Sequence, residues 1–206
     1  MDHGASFFQR VRGSLREELL DAAAELLAER GFHGLRMAEV ARVVGVSRQT
    51  VHNEFGTKEA LAQAVALRTT AGFLEEVDAC LRAAPDLVSG VRDAVGHVLR
   101  HAGENRLVAA ILGTPEAQDL LPFLTTRGEP VLRPATEALA VHLRRYRPDL
   151  APERAATVAE VLVRLTLSHL VLPGTTPERA ADTVAEVVAA MLDARPSPGV
   201  GAATTG

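Results

Sequence analysis

The chain has 206 residues, 47% of them apolar and only 3% aromatic, with a single Cys and no Trp. That is enough chain to bury a sizeable core of Leu, Val and Ala, and it excludes a disordered chain, a disulfide framework and a four-Cys zinc site. A net charge of −4 leaves no general basic footprint, and there is neither a secretory leader nor an apolar run of roughly 18 residues, so a cytoplasmic, all-α protein with no membrane partner is expected.

Residues 1–13 read as a flexible arm carrying Arg10 and Arg12. Ser14 and Glu17 match a capping box that would open the first helix. Leu15, Leu19, Ala23, Leu26 and Leu27 then form one apolar stripe at helical spacing. Arg30 lies in the last turn, and Gly31 suits the left-handed position just past the end. A second helix spans about 37–44, with Val40, Ala41 and Val44 inward. Gly45 interrupts it, and Ser47 caps a short third helix over about 47–54. Gly56 ends that helix, and Thr57 caps a long fourth one from Lys58 to about Ala83, closed by Pro85.

Further helical segments are expected over about 87–103, 105–112, 115–126, 130–147, 152–172 and 177–194, which with the first four make ten segments, read as about nine helices. Residues 195–206 are rich in Pro, Gly and Thr and read as a disordered tail. The chain thus divides into the arm, a three-helix head over 14–60, a helical body over 61–194 and the tail.

The informative stretch is Met37–Leu61, MAEVARVVGVSRQTVHNEFGTKEAL. Two helices meeting at a Gly-containing turn match a helix-turn-helix. At about 100° per residue, Val51 and Phe55 share the inward side of the third helix, while Gln49 and Asn53 point away from it and Thr50 and His52 flank them. Asn or Gln can pair bidentately with adenine in a major groove, and a Thr methyl can touch thymine. Glu54 falls toward the core side, and Arg48 lies in the first turn, within reach of a base or the backbone. Lys58, the only Lys of the chain, sits at a helix N-terminus with Thr57 as cap, an arrangement suited to phosphate. Ser47 and Arg36 complete the expected DNA contacts, with Arg42 and the arm residues as further phosphate partners.

This stretch resembles the TetR family of bacterial transcription regulators. The matching residues are Gly31-Phe32, Glu39-Val40-Ala41, Gly45-Val46-Ser47, Thr50-Val51 and Phe55-Gly56-Thr57-Lys58-Glu59-Ala60-Leu61. Leu124–Gly128 (LTTRG) and Leu162–His169 (LVRLTLSH) are similar to one subgroup of such regulators. The resemblance implies a homodimer that binds a palindromic operator in double-stranded DNA. It also implies an effector-binding body that releases the operator when a small, largely apolar molecule enters, with the fourth helix as the link. Three positions depart from the family pattern: His52 stands where Tyr is usual, Glu54 where His is common, and Leu35-Arg36 where a Thr commonly caps the second helix.

If the family reading holds, His97, Phe123, His142, Tyr146 and His169 are the candidate polar or aromatic liners of the effector pocket. His97 and His101, four apart, have metal-ligand spacing, but no carboxylate or Cys nearby in sequence completes a set. Ser168 and His169 are neighbours on a helix and point about 100° apart, so they form no nucleophile–base pair. The expectation is therefore a regulator and not an enzyme, with no cofactor and no metal. Two rival readings stay open: a helical small-molecule-binding protein whose DNA binding is weakened or lost, and a metal-dependent helical enzyme using His97 and His101. In the helix over 152–172, Glu160, Arg164 and Ser168 form one narrow polar stripe among Val and Leu. In the last helix, Ala180, Val184, Val187, Val188 and Met191 share one face. Packing of these two C-terminal helices against their symmetry mates would make the dimer.

Overall fold

The computed structural model describes residues 3–113, 119–122, 124–126 and 128–193. Among them are nine α-helices and no strand: α1 (His3–Gly34), α2 (Met37–Val44), α3 (Arg48–Phe55), α4 (Lys58–Ala83), α5 (Leu87–His101), α6 (Arg106–Gly113), α7 (Glu129–Tyr146), α8 (Pro152–Val171) and α9 (Pro177–Asp193). The all-α architecture agrees with the periodicity. No helix among the described residues is long and apolar enough to cross a membrane.

The head forms where the stop and start residues place it. Gly45 follows α2 at φ 80°, a left-handed conformation that L side chains rarely adopt, and its N–H closes the helix on Ala41 O. Ser47 is extended at ψ 151° and its Oγ accepts from Thr50 N at 3.0 Å. Thr57 repeats the device for α4, accepting from Ala60 N at 3.1 Å. Losing either cap typically costs about 1 kcal/mol. The inward residues Val40, Ala41, Val51 and Phe55 are buried against Leu19, Leu20, Ala23, Leu27, Leu61 and Val65. Full burial of each large side chain stabilises by roughly 1.5–3 kcal/mol.

Two buried clusters run the length of the molecule. The first joins α1 to α4 and also takes in Leu107, Ala110 and Ile111 of α6 and Leu120. The second joins the far end of α4 to α5, α7, α8 and α9. α4 threads both, and α6 belongs as much to the head as to the rest.

Several expectations are corrected. α1 begins at His3, so the backbone where an arm was expected is helical. Ser14 then lies inside the helix, where it cannot take the extended conformation of a cap, and its Oγ meets Glu18 Oε1 at 3.4 Å. Residues 119–122 form a tight 3-10 turn instead of α-helix, continued by bonds from Leu124 N to Leu121 O and from Thr125 N to Pro122 O. α7 runs through Pro134 and forgoes one backbone bond. The apolar face of α9 packs within the chain: Ala180 is buried and Val184 and Val188 are buried with α5 and α8, while Val187 faces outward. The tail over 195–206 lies outside the described residues.

Candidate DNA-reading face and effector cavity

α3 presents to water the side chains its periodicity assigns there. Arg48, Gln49, His52 and Asn53 are exposed, and Thr50 is half-buried. Gln49 Nε2 donates to Asn53 Oδ1 at 2.7 Å, so the two amides are paired along one face. Thr50 Oγ1 and Ser47 Oγ lie 2.9 Å apart, which commits Ser47 to the cap as well as to the surface. Glu54 is turned off this face by Arg16 Nη1, 2.7 Å from its Oε1, and the Arg16 guanidinium lies 4.7 Å from the Phe55 ring centroid. A carboxylate that would repel phosphate is thereby neutralised. Arg16 is a contributor that sequence reading missed, since 38 residues separate the pair.

Arg36 is the exposed N-cap residue of α2 and makes no side-chain cap, as its departure from Thr implies. Thr57 caps α4, as described. Lys58 is placed differently from the expectation of a free clamp. Its ammonium donates to Phe32 O at 3.0 Å and lies 4.2 Å from the Phe32 ring centroid. One of its three N–H groups therefore holds the end of α1.

Asp119 approaches that same corner from the opposite side. Its carboxylate accepts from Phe32 N at 2.8 Å, from His33 N at 2.7 Å and from the His33 ring at 2.7 Å. Burial pushes the Asp119 carboxyl up, but these donors outweigh it and hold the group below the ordinary carboxylate range. No local signal in the sequence marks it.

Between α4, α5, α6 and α8 lies a cavity of about 160 Å³, lined among others by Phe73, Val91, Val95, Leu107, Ile111, Leu120, Leu124 and Leu162. Thr69, Thr70 and Thr166 add hydroxyls to its wall. Thr70 donates to Ala66 O and Thr166 to Leu162 O, each at 2.8 Å, so both spend their protons on their own helices. Such a wall offers apolar contact and no charge. A more polar cleft adjoins it through Leu124 and Leu167, lined by Thr125, Thr126, Arg164 and Ser168. The LTTRG and LVRLTLSH stretches thus meet in space, with Arg164 paired to Glu160 at 2.7 Å.

The expected pocket liners are corrected. None of His97, His142, Tyr146 and His169 lines the cavity, and Phe123 lies outside the described residues. Polar rings find polar partners instead: His97 Nε2 is 3.0 Å from Glu76 Oε2, and Tyr146 donates to Leu81 O at 2.5 Å. His97 and His101 stack at 4.1 Å, and His101 Nδ1 is 2.9 Å from His97 O. Among the described residues no group of three or more His, Cys, Asp and Glu is placed to hold a metal.

His142 is buried, with Nε2 2.6 Å from Asp78 Oδ1 but out of hydrogen-bond alignment. Burial lowers its pKa from the usual 6.5, against the pull of Asp78 and with help from Arg145 and Arg82. The unfolded chain therefore takes up a proton that the folded chain resists, and stability falls as the pH drops through the usual His value. The thermal midpoint is expected to decline between about pH 7.5 and 5.5, with a smaller decline in His142→Gln. An identical decline in both proteins would remove His142 from the account.

Residues 19–65 match the family model for bacterial regulatory proteins of the tetR family, and residues 86–190 match that for the bacterial tetracycline repressor C-terminal domain. The chain is 30% identical to the HTH-type transcriptional regulator AlkX of Mycobacterium tuberculosis, over 88% of this chain and 85% of that one. It is 29% identical to the HTH-type transcriptional repressor AcnR of Corynebacterium diphtheriae, over 84% and 90%. Among solved structures, the TetR-family repressor AlkX of a Dietzia species, implicated in biodegradation of n-alkanes, superposes with a TM-score of 0.70 at 30% identity, covering 86% of this chain and 94% of that one.

Proposed function

Because this chain belongs to the TetR family of transcriptional regulators, we propose that it is a one-component repressor acting in the cytoplasm, released from its operator by a molecule with a long aliphatic chain. The head over 14–60 reads DNA, and the body over 61–194 binds the effector and forms the dimer. Two copies of α3 enter successive major grooves about 34–36 Å apart on a palindromic site. Gln49, Asn53, Thr50 and Arg48 read base edges. His52, Thr57 and the N-terminus of α4 hold phosphates, together with Ser47, Arg36 and the remaining donors of Lys58.

The observation that carries the DNA reading is the exposed amide pair of Gln49 and Asn53 on a helix whose other side is fully buried. The effector reading is supported by a cavity wall without charge, on which the Thr70 and Thr166 hydroxyls are turned to their own backbones. The n-alkane role of the Dietzia relative points the same way. For the dimer, the support is what the chain leaves outward on its last two helices: Val187 on α9, Leu172 just past α8, and the Glu160–Arg164 pair.

One experiment tests the whole. A duplex is selected by the protein from a random pool, and its affinity is measured at fixed salt with and without 1-dodecanol. A palindromic site whose affinity falls at least tenfold with dodecanol is the expected result. Binding to all duplexes alike would end the sequence-reading assignment, and an affinity indifferent to dodecanol would end the aliphatic one.

A further inference from the structure

The end of α1 is held between the cavity and the reading helix. Gly31 turns the chain at φ 66° and ψ −174°, a conformation that is essentially Gly-only. The amides of Phe32 and His33 there turn to a partner outside the helix, and both go to Asp119. The carbonyl of Phe32 goes to Lys58. Asp119 is followed by Leu120, which is buried at 4% exposure, and both Leu120 and Leu124 form part of the cavity wall. Lys58 opens α4 directly after its cap and three residues after the buried Phe55 of α3.

A carboxylate bonded through both oxygens to two consecutive amides is a rigid, charge-assisted joint, and Asp119 cannot shift without the corner following. Arg68 of α4 also bridges body to head, to Glu17 and Asp21 of α1, and a further bridge is of a different kind. Arg106 of α6 reaches Glu25 and Glu29 of α1 through three long, solvent-exposed side chains. Such pairs are screened and re-form as they move.

We infer that Asp119 is a positioning residue for operator recognition: it couples the cavity wall to the Phe32–His33 corner and, through Lys58, to the start of α4 and the seating of α3. A molecule that displaces Leu120 and Leu124 then moves the reading helix through this joint. The inference rests on the effector reading above for the identity of that molecule, but not for the joint itself. By linkage, operator binding must act back on the cavity wall to the same extent.

The test uses the full-length protein and its Asp119→Asn variant, which keeps one carbonyl acceptor and loses the second oxygen and the charge. Asp119→Ala is carried alongside, and retained helical circular dichroism and dimer mass qualify a variant. The expected result has three parts. Asp119→Asn binds the operator about tenfold more weakly, and it binds 1-dodecanol within threefold of the parent. Saturating dodecanol weakens its operator affinity less than threefold, against tenfold or more in the parent. A variant with parental operator affinity, or with the full dodecanol response, overturns the inference.

If dodecanol fails to release the parent, the aliphatic effector reading falls, and the joint is judged by hydrogen exchange without any effector. The operator should slow exchange of the Leu124 amide, which bonds Leu121 O, in the parent and not in Asp119→Asn. Equal slowing in both overturns the joint.

Discussion

Replacing Gln49 and Asn53 together by Ala is expected to remove most of the discrimination between the operator and a scrambled duplex while leaving salt-dependent binding to either. The two amides stand on the outward side of α3 beside the exposed Arg48 and His52, with Val51 and Phe55 anchoring the opposite side at 0% and 8% exposure. Each bidentate amide–adenine contact is worth about 1–3 kcal/mol of discrimination, so the pair together accounts for about 2–6 kcal/mol, or roughly 30- to 20,000-fold. Phosphate contacts from other residues persist, because they carry no sequence information. The single variants should not add. Gln49 Nε2 donates to Asn53 Oδ1 at 2.7 Å, so removing either frees the other to rotate, and each single loss includes part of its neighbour's. The measurement is the operator-to-scrambled affinity ratio at one salt concentration for parent, singles and double. A ratio that survives the double substitution would place base reading elsewhere.

Val187→Glu is expected to yield monomers in sedimentation and to weaken operator binding by about 10²–10⁴, the advantage gained when a second linked site engages intramolecularly. Val187 is 37% exposed on the one side of α9 that the chain does not cover. Its neighbours on the buried side, Val184 and Val188, are at 0%. A charge at Val187 therefore leaves the fold of one subunit intact and burdens an interface with an unpaired carboxylate. Unchanged helical content with halved mass is the expected combination. A dimer of parental affinity would show that the subunits meet through another face.

Much of the reading head was legible from short-range rules. Ser47 and Thr57 cap, and Gly45 turns with positive φ, because each needs only the residues within one turn. The outward set of α3 followed from angles about a helix axis, and Glu54 fell toward the core as that geometry required. Where the same rules were extended, they met competition. Ser14 has the residues of a cap, but helical backbone upstream removes the cap conformation. The face read on α9 holds for Ala180, Val184 and Val188 but not for Val187, which lies outward, and periodicity does not say whether such a face meets its own chain or another. Of the side chains expected in the pocket, His97 went to the Glu76 carboxylate and Tyr146 to the Leu81 carbonyl, since a half-buried polar ring needs a hydrogen-bond partner and an aliphatic wall has none to offer.

What the sequence determined by itself was most of the helices, the caps at Ser47 and Thr57 and the outward face of α3, because these depend on contacts between residues one to four apart. Only the tertiary structure decided that Lys58 and Asp119 share the corner at Phe32, that Arg16 screens Glu54, and which Leu and Val side chains enclose the cavity. Asp119 and Phe32 lie 87 residues apart. Two groups so separated meet only once the helices between them have packed, and no local pattern records that meeting.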